Sequence, residues 1–90
     1  MKKTIITVVG HDQVGIIAKV CSYLANNRVN ILDISQTIVS GYFNMMMIVD
    51  VNEMEKEFGE FASELEEIGK EIGVIMKAQR EDIFDMMHHL

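Results

Sequence analysis

The chain has no proline, no tryptophan and one cysteine, and its eight lysines and arginines are outnumbered by fourteen aspartates and glutamates. Each shortage removes a class of protein. The lone Cys21 cannot close an intramolecular disulfide, and the N-terminal residues lack the continuous apolar segment of a secretion signal, so a reducing cytoplasm is the expected setting. No apolar run approaches the ~20 residues that a membrane-spanning helix needs. A formal net charge of −6 disfavours nucleic acid, because affinity for a phosphate backbone comes from clustered Lys and Arg that release counterions. Without proline, no loop is stiffened by a fixed φ.

What the chain has instead is apolar surface, much of it methionine. Eight Met against four Phe and two Tyr means that adaptable thioethers do packing that larger rings do elsewhere. Ninety residues make one small domain with an adequate but not generous core, so the apolar surplus points to a partner.

The hydrophobic pattern divides the chain into six elements. Residues 3–9 (KTIITVV) are β-branched at nearly every position, which suits a covered strand. Ile17, Val20, Cys21 and Leu24 then recur at helical spacing, with Lys19, Ser22, Asn26 and Asn27 on the other side. This predicts a helix over 13–26, capped by Asp12 and stopped by the asparagine pair. Residues 29–39 alternate in two registers, Leu32, Ile34 and Ile38 against Ile31, Asp33, Ser35 and Thr37, so one face is expected to be buried. Gly41 supplies a positive φ for a hairpin turn, and residues 42–51 return as the third strand. Phe58, Phe61, Ala62, Leu65, Ile68 and Ile72 mark a second helix ending near 69–73. Residues 74–79 read as a fourth strand, followed by a short terminal helix with Ile83, Phe84, Met87 and Leu90 on its apolar side. The order β-α-β-β-α-β predicts an α+β, ferredoxin-like sandwich over residues 1–80, with a helical extension over 81–90. On the third strand Phe43, Met45, Met47 and Val49 alternate with Asn44, Met46, Ile48 and Asp50. Apolar groups therefore face both sides of the sheet, and self-association is expected.

The stretch VVGHDQVGII, between the first strand and the first helix, carries the clearest candidate site. Gly15 is placed in the first helical turn, where backbone N–H groups lack partners and the helix dipole favours an anion. A small carboxylate fits there. Without a Cβ at Gly15 a ligand can approach the backbone, and Asp12 offers a counter-charge to an ammonium group. The same residues also make an ordinary capped turn into a helix, and composition alone does not choose between the two.

The segment from Val8 to Gln36 resembles the opening half of an ACT domain. The matching residues are Gly10, Asp12, Gly15 and Ile16 in a G-x-D-x-x-G-I type loop, then Asn30 and Ile31 at the start of strand two. With the full element order, the resemblance covers nearly the whole chain. It is strongest to short stand-alone ACT proteins ending in R-E-D-I-F and M-H, matched here by Arg80, Glu81, Asp82, Ile83, Phe84, Met87 and His88. The ACT part of the glycine cleavage system repressor is similar over about the first forty residues. The resemblance implies a regulatory module that binds a small ligand, most often an amino acid, between paired domains. It further implies a wall of His11, Asp12, Gln13, Val14, Gly15 and Ile16, closed by Asn30 and Ile31 of the neighbouring subunit. Asn30 suits that role because its amide both donates and accepts. One departure is Val14, where many members have proline before the loop glycine; the loop is accordingly less rigid.

Other chemistries fit less well. Acylphosphatases share the fold, but need an arginine at this loop, and Arg28 and Arg80 fall elsewhere. Cys21 lies on the apolar stripe of the first helix, where thiols are usually inert. Asp85, His88 and His89 have i, i+3, i+4 spacing but no further ligands to complete a metal shell. Glu60, Glu64, Glu67 and Glu71 read as a solubilising face, with Glu66 and Lys70 an i, i+4 pair. The expectation is a homodimeric cytoplasmic sensor of an amino acid or similar small molecule. It has no catalysis, cofactor or metal of its own, and signals through a partner enzyme or regulator.

Overall fold

A computed structural model describes residues 2–11 and 14–82. The elements follow the expected order: β1 (Lys3–His11), α1 (Ile16–Asn26), β2 (Asn30–Val39), β3 (Tyr42–Asp50), α2 (Phe58–Ile72) and β4 (Val74–Arg80). The four strands form one antiparallel sheet in the order β2-β3-β1-β4. The terminal helix expected on Ile83, Phe84, Met87 and Leu90 lies outside the described residues, as do Asp12 and Gln13.

Residues opposite one another in an antiparallel ladder share a face, so the register assigns every strand side chain. Thr4, Ile6 and Val8 of β1 stand beside Val49, Met47 and Met45 of β3, and beside Arg80, Ala78 and Met76 of β4. This is the helix-covered face. Its core joins Ile6, Val8, Phe43, Met45, Met47, Val49, Val74 and Met76 to Ile16, Val20 and Leu24 of α1 and Phe61 and Leu65 of α2. Met45, Met47 and Met76 are 2 % exposed or less, so thioethers do fill the centre, as the composition predicts. The opposite face carries Ile5, Val9, Met46, Ile48 and Ile75; of these only Ile5 is buried.

Two expectations about faces are corrected. The buried stripe of α1 is Ile16, Val20 and Leu24, while Ile17 is 40 % exposed and Cys21 half-buried. The helix is rotated by about one residue from the apolar pattern because Ile16, not Ile17, points at the sheet. β2, expected to bury one face, is exposed at every residue except half-buried Ile31. It is an edge strand. A bulge between Ile31 and Asp33 also changes its alternation, so that Ile31 and Ile34 share the side of Val49 and Met47 while Asp33 goes to the other.

The turns obey local chemistry. Ser40 (φ 52°) and Gly41 (φ 80°) form a two-residue turn with both residues left-handed, the twist that matches a β-hairpin. α1 ends as predicted at its asparagines: Asn27 N–H reaches the Tyr23 and Leu24 carbonyls, and its side-chain amide donates to the Tyr23 carbonyl at 2.9 Å. Lys70 pairs with Glu67 at 3.4 Å, one turn position nearer than the expected Glu66.

The helix layer is tied by a polar clasp that the reading of α2 glutamates as a plain solvated face misses. Tyr23 of α1 donates to Glu64 Oε1 of α2 at 2.6 Å, and Lys56 Nζ donates to the same oxygen at 2.5 Å. Lys56 also lies 5.6 Å from the centre of the Tyr23 ring, which stacks on Phe61 at 5.9 Å. Burial and then the Glu64 contact hold the Tyr23 hydroxyl well above the usual phenol range, and the Lys56 and Tyr23 hydrogen bonds hold Glu64 below the usual carboxylate range.

Linkage gives these shifts opposite signs. The Glu64 contribution is present above the unfolded carboxylate pKa and is lost as pH falls through the lower folded value. The Tyr23 contribution is present below the unfolded pKa of about 10 and is lost as pH rises beyond it. In urea unfolding across pH, Tyr23→Phe should flatten the alkaline decline, and Glu64→Gln should flatten both arms. Tyr23→Phe should cost less than Phe61→Ala, which removes a fully buried ring and should cost about 3–5 kcal/mol. Two helix glycines should respond oppositely to alanine. Gly59→Ala adds a methyl where nothing lies within 4 Å and should stabilise by roughly 0.5–1 kcal/mol. Gly69→Ala should destabilise, since its Cβ would sit 2.7 Å from the Val74 carbonyl oxygen.

Candidate functional site

The β1–α1 connection begins at His11, the last residue of β1, which lies opposite Tyr42. Their rings stack with centres 4.6 Å apart and planes 28° from parallel. Val14 is fully exposed. Gly15 has φ 91° and ψ −1°, a left-handed conformation, and therefore stands at the N-cap and not within the first turn as expected. A residue with a Cβ would be strained there, although the space around Gly15 is open. Ile16 begins the helix and is buried at 3 % exposure, so its side chain belongs to the core and leaves only its backbone for the loop.

The first intrahelical bond runs from Lys19 N–H to the Gly15 carbonyl at 2.9 Å. The N–H groups of Ile16, Ile17 and Ala18 precede it and have no helical acceptor. Among the described residues the first turn carries no acidic side chain, and Gly15 has no side chain to cap it. The positive end of the α1 dipole is thus uncompensated by these residues, the electrostatic condition for holding a carboxylate.

Asn30 and Ile31 lie elsewhere. Asn30 is exposed and opposite Asp50, at one end of β3; His11 is opposite Tyr42, at the other. Eight residue steps separate these ends, about 26 Å at roughly 3.3 Å per residue. One protomer does not bring the two halves of the predicted site together. Tyr42, absent from the predicted set, joins His11 through the β1–β3 register. The signal for it lay in the hairpin: once Ser40 and Gly41 form the turn, Tyr42 must begin β3.

The other candidate chemistries also find their places. Arg28 follows α1 with φ 60° and faces Glu55 at 3.7 Å, while Arg80 is opposite Thr4. Both are at the far end of the sheet from Gly15, so neither supplies the anion clamp of an acylphosphatase loop. Asp85, His88 and His89 are outside the described residues, among which no group of three His, Cys, Asp or Glu could hold a metal. Among the described residues, no helix is long and apolar enough to cross a membrane.

Comparison with known proteins agrees with the fold. The ACT domain family matches residues 2–79. A UPF0237 protein of Bifidobacterium longum is 59 % identical over 90 residues, spanning the whole of both chains. An ACT domain protein from Streptococcus pneumoniae of known structure is 39 % identical, covers 93 % of this chain and 94 % of its own, and superposes with a TM-score of 0.82. A putative glycine cleavage system transcriptional repressor, at 21 % identity and TM-score 0.75, shares the fold over 88 % of this chain and 45 % of its own. That likeness extends well past the first forty residues on which the sequence resemblance rested. The chain belongs to the ACT domain family, whose members are regulatory ligand-binding modules.

Proposed function

We propose that the protein is a homodimeric sensor of a small ligand, an amino acid or a close analogue, and performs no catalysis. The observation that carries this reading is the placement of the two half-sites at opposite ends of one sheet whose edge strand is free. β2 exposes Leu32, Ile34 and Ile38 at 40 %, 41 % and 56 %, and its sequence contains neither proline nor lysine, two common protections of a sheet edge. A second copy pairing antiparallel along β2 sets each Asn30 beside the partner's Val39. Val39 is opposite Tyr42, next to His11. The loop of one protomer and Asn30 with Ile31 of the other then flank one site, and two-fold symmetry makes two such sites.

In that arrangement the carboxylate takes the open N-terminus of α1, and the left-handed Gly15 lets the ligand backbone come close. Asp12 is the counter-charge to the ammonium group, with Gln13 and exposed Val14 beside it. The Asn30 amide bridges from the partner. Because each site spans two chains, ligand binding favours the closed dimer, by no more than the difference in ligand affinity between the two arrangements. In this reading the signal passes to a partner enzyme or regulator. The free Cys21 suits a reducing cytoplasm.

Thermal unfolding against each of the twenty amino acids tests the sensor. A ligand at a hundred times its dissociation constant should add about 2.7 kcal/mol, and the shift should vanish in Asn30→Ala and Asp12→Ala. No shift with any of them would leave a dimerisation module in place of an amino-acid sensor. Sedimentation tests the edge separately: Ile34→Lys should convert the dimer to a folded monomer and abolish any ligand shift with it.

A further inference from the structure

A cavity of about 520 Å³ lies at the opposite end of β1 from the loop. It is bounded by the start of β1, the β3–α2 connection and the end of β4. Lys2, Lys3, Lys56 and Arg80 line it. These are half of the eight lysines and arginines in a chain of net charge −6. Two carboxylates, Glu81 and Asp82, share the lining. They sit 3.9 Å from Lys3 and from Arg80 respectively, long contacts between well-exposed side chains, and such pairs are weak competitors to an entering anion.

Among the described lining residues Thr4 is the one that is buried. It is 1 % exposed, and its Oγ1 has no hydrogen-bond partner. Buried hydroxyls are nearly always paired, because leaving one unmet sacrifices hydration without return. Met54 and Phe58, both half-buried, give the cavity an apolar wall. A cation-rimmed cavity with an apolar side and an unmet hydroxyl at its floor has the composition of an anion site: charge to attract, a neutral donor to orient, and surface for an uncharged remainder.

We infer that this cavity binds a small organic dianion, with its charged group among Lys2, Lys3 and Arg80 and its apolar part against Met54 and Phe58. The site is separate from the loop and does not depend on the amino-acid reading. The Thr4 hydroxyl, unpaired without ligand, is the neutral donor that this site offers to a ligand oxygen. Lys56 is already engaged by Glu64 at 2.5 Å, so an anion that recruits it loosens the α1–α2 clasp. That connects the cavity to the helix layer.

Amide NMR titration of the full chain, with inorganic phosphate, adenosine monophosphate and succinate as probes, tests the assignment. Saturable shifts should appear at residues 2–4, 51–58 and 80–82 with at least one probe, and the relative strength of the three separates phosphate from carboxylate recognition. Lys2→Gln and Arg80→Gln should each weaken binding about tenfold, the effect of one lost charge-assisted contact. Asn30→Ala should leave it unchanged, which distinguishes this site from the dimer site. Thr4→Val should raise the unfolding midpoint without ligand and weaken binding. Absence of saturable shifts at these residues with all three probes, or full affinity in both charge variants, would overturn the inference.

Discussion

Alternation along β3 is the constraint on which the other elements depend. Phe43, Met45, Met47 and Val49 point inward and are almost fully buried, and β3 is the strand that β1 and β2 both pair with. A slip of one residue would turn all four outward and bring Asn44, Met46, Ile48 and Asp50 into the core, burying an amide and a carboxylate. The cost of that inversion fixes the register of β3, and the ladders transmit it. β1 is set against β3, β4 against β1, and the positions of Gly10 and Gly69 follow. At both of these a Cβ would come within 2.7 Å of Val74, so the close seating of β4 depends on two residues that lack one.

A methionine-rich centre adds something to this picture. Thioether side chains fill irregular space with little shape demand, so the core tolerates small shifts of α1 and α2 over the sheet better than a core of branched or aromatic side chains does. The clasp of Tyr23, Lys56 and Glu64 supplies directional contact between the helices that the methionines do not. Its hydrogen bonds converge on a single Glu64 oxygen. The helix layer thus rests on an adaptable apolar floor and is held by one polar contact near its surface.

How much of this was legible in the sequence depends on how far each feature is local. β3 was readable because its alternation is strict over nine residues, and the hairpin because Ser40 and Gly41 must turn. The end of α1 was readable from Asn26 and Asn27. Its start was not, since glycine and aspartate both cap helices, and only the backbone shows Gly15 in the left-handed region. β2 was misread for a physical reason: apolar residues in two registers fit a buried strand and a bulged edge strand equally, and the difference lies in what covers it. Glu64 looked like its neighbours on the solvated face because its partner Tyr23 is 41 residues away. Of the candidate site, the loop residues were visible as a motif, but the distance from His11 to Asn30 and the presence of Tyr42 required the register. The cavity at Thr4 was invisible, being assembled from three separate segments.

The proposed two-chain site also limits what kind of sensor this domain would make. A site contained in one protomer can report ligand only through a change within that protomer, and a sheet of four paired strands is stiff. A site divided between His11 of one chain and Asn30 of another reports through the relation of two rigid bodies. In the proposed dimer that relation would change by repacking Leu32, Ile34 and Ile38 at a seam, without breaking any core contact. The energetic cost of switching is then that of a small interface and not of a fold. A ligand bound by a few hydrogen bonds has a free energy comparable with that cost and much smaller than the stability of the core. The exposed apolar edge, a liability in an isolated domain, is in this reading the element that lets a weakly bound metabolite change the state of a ninety-residue protein.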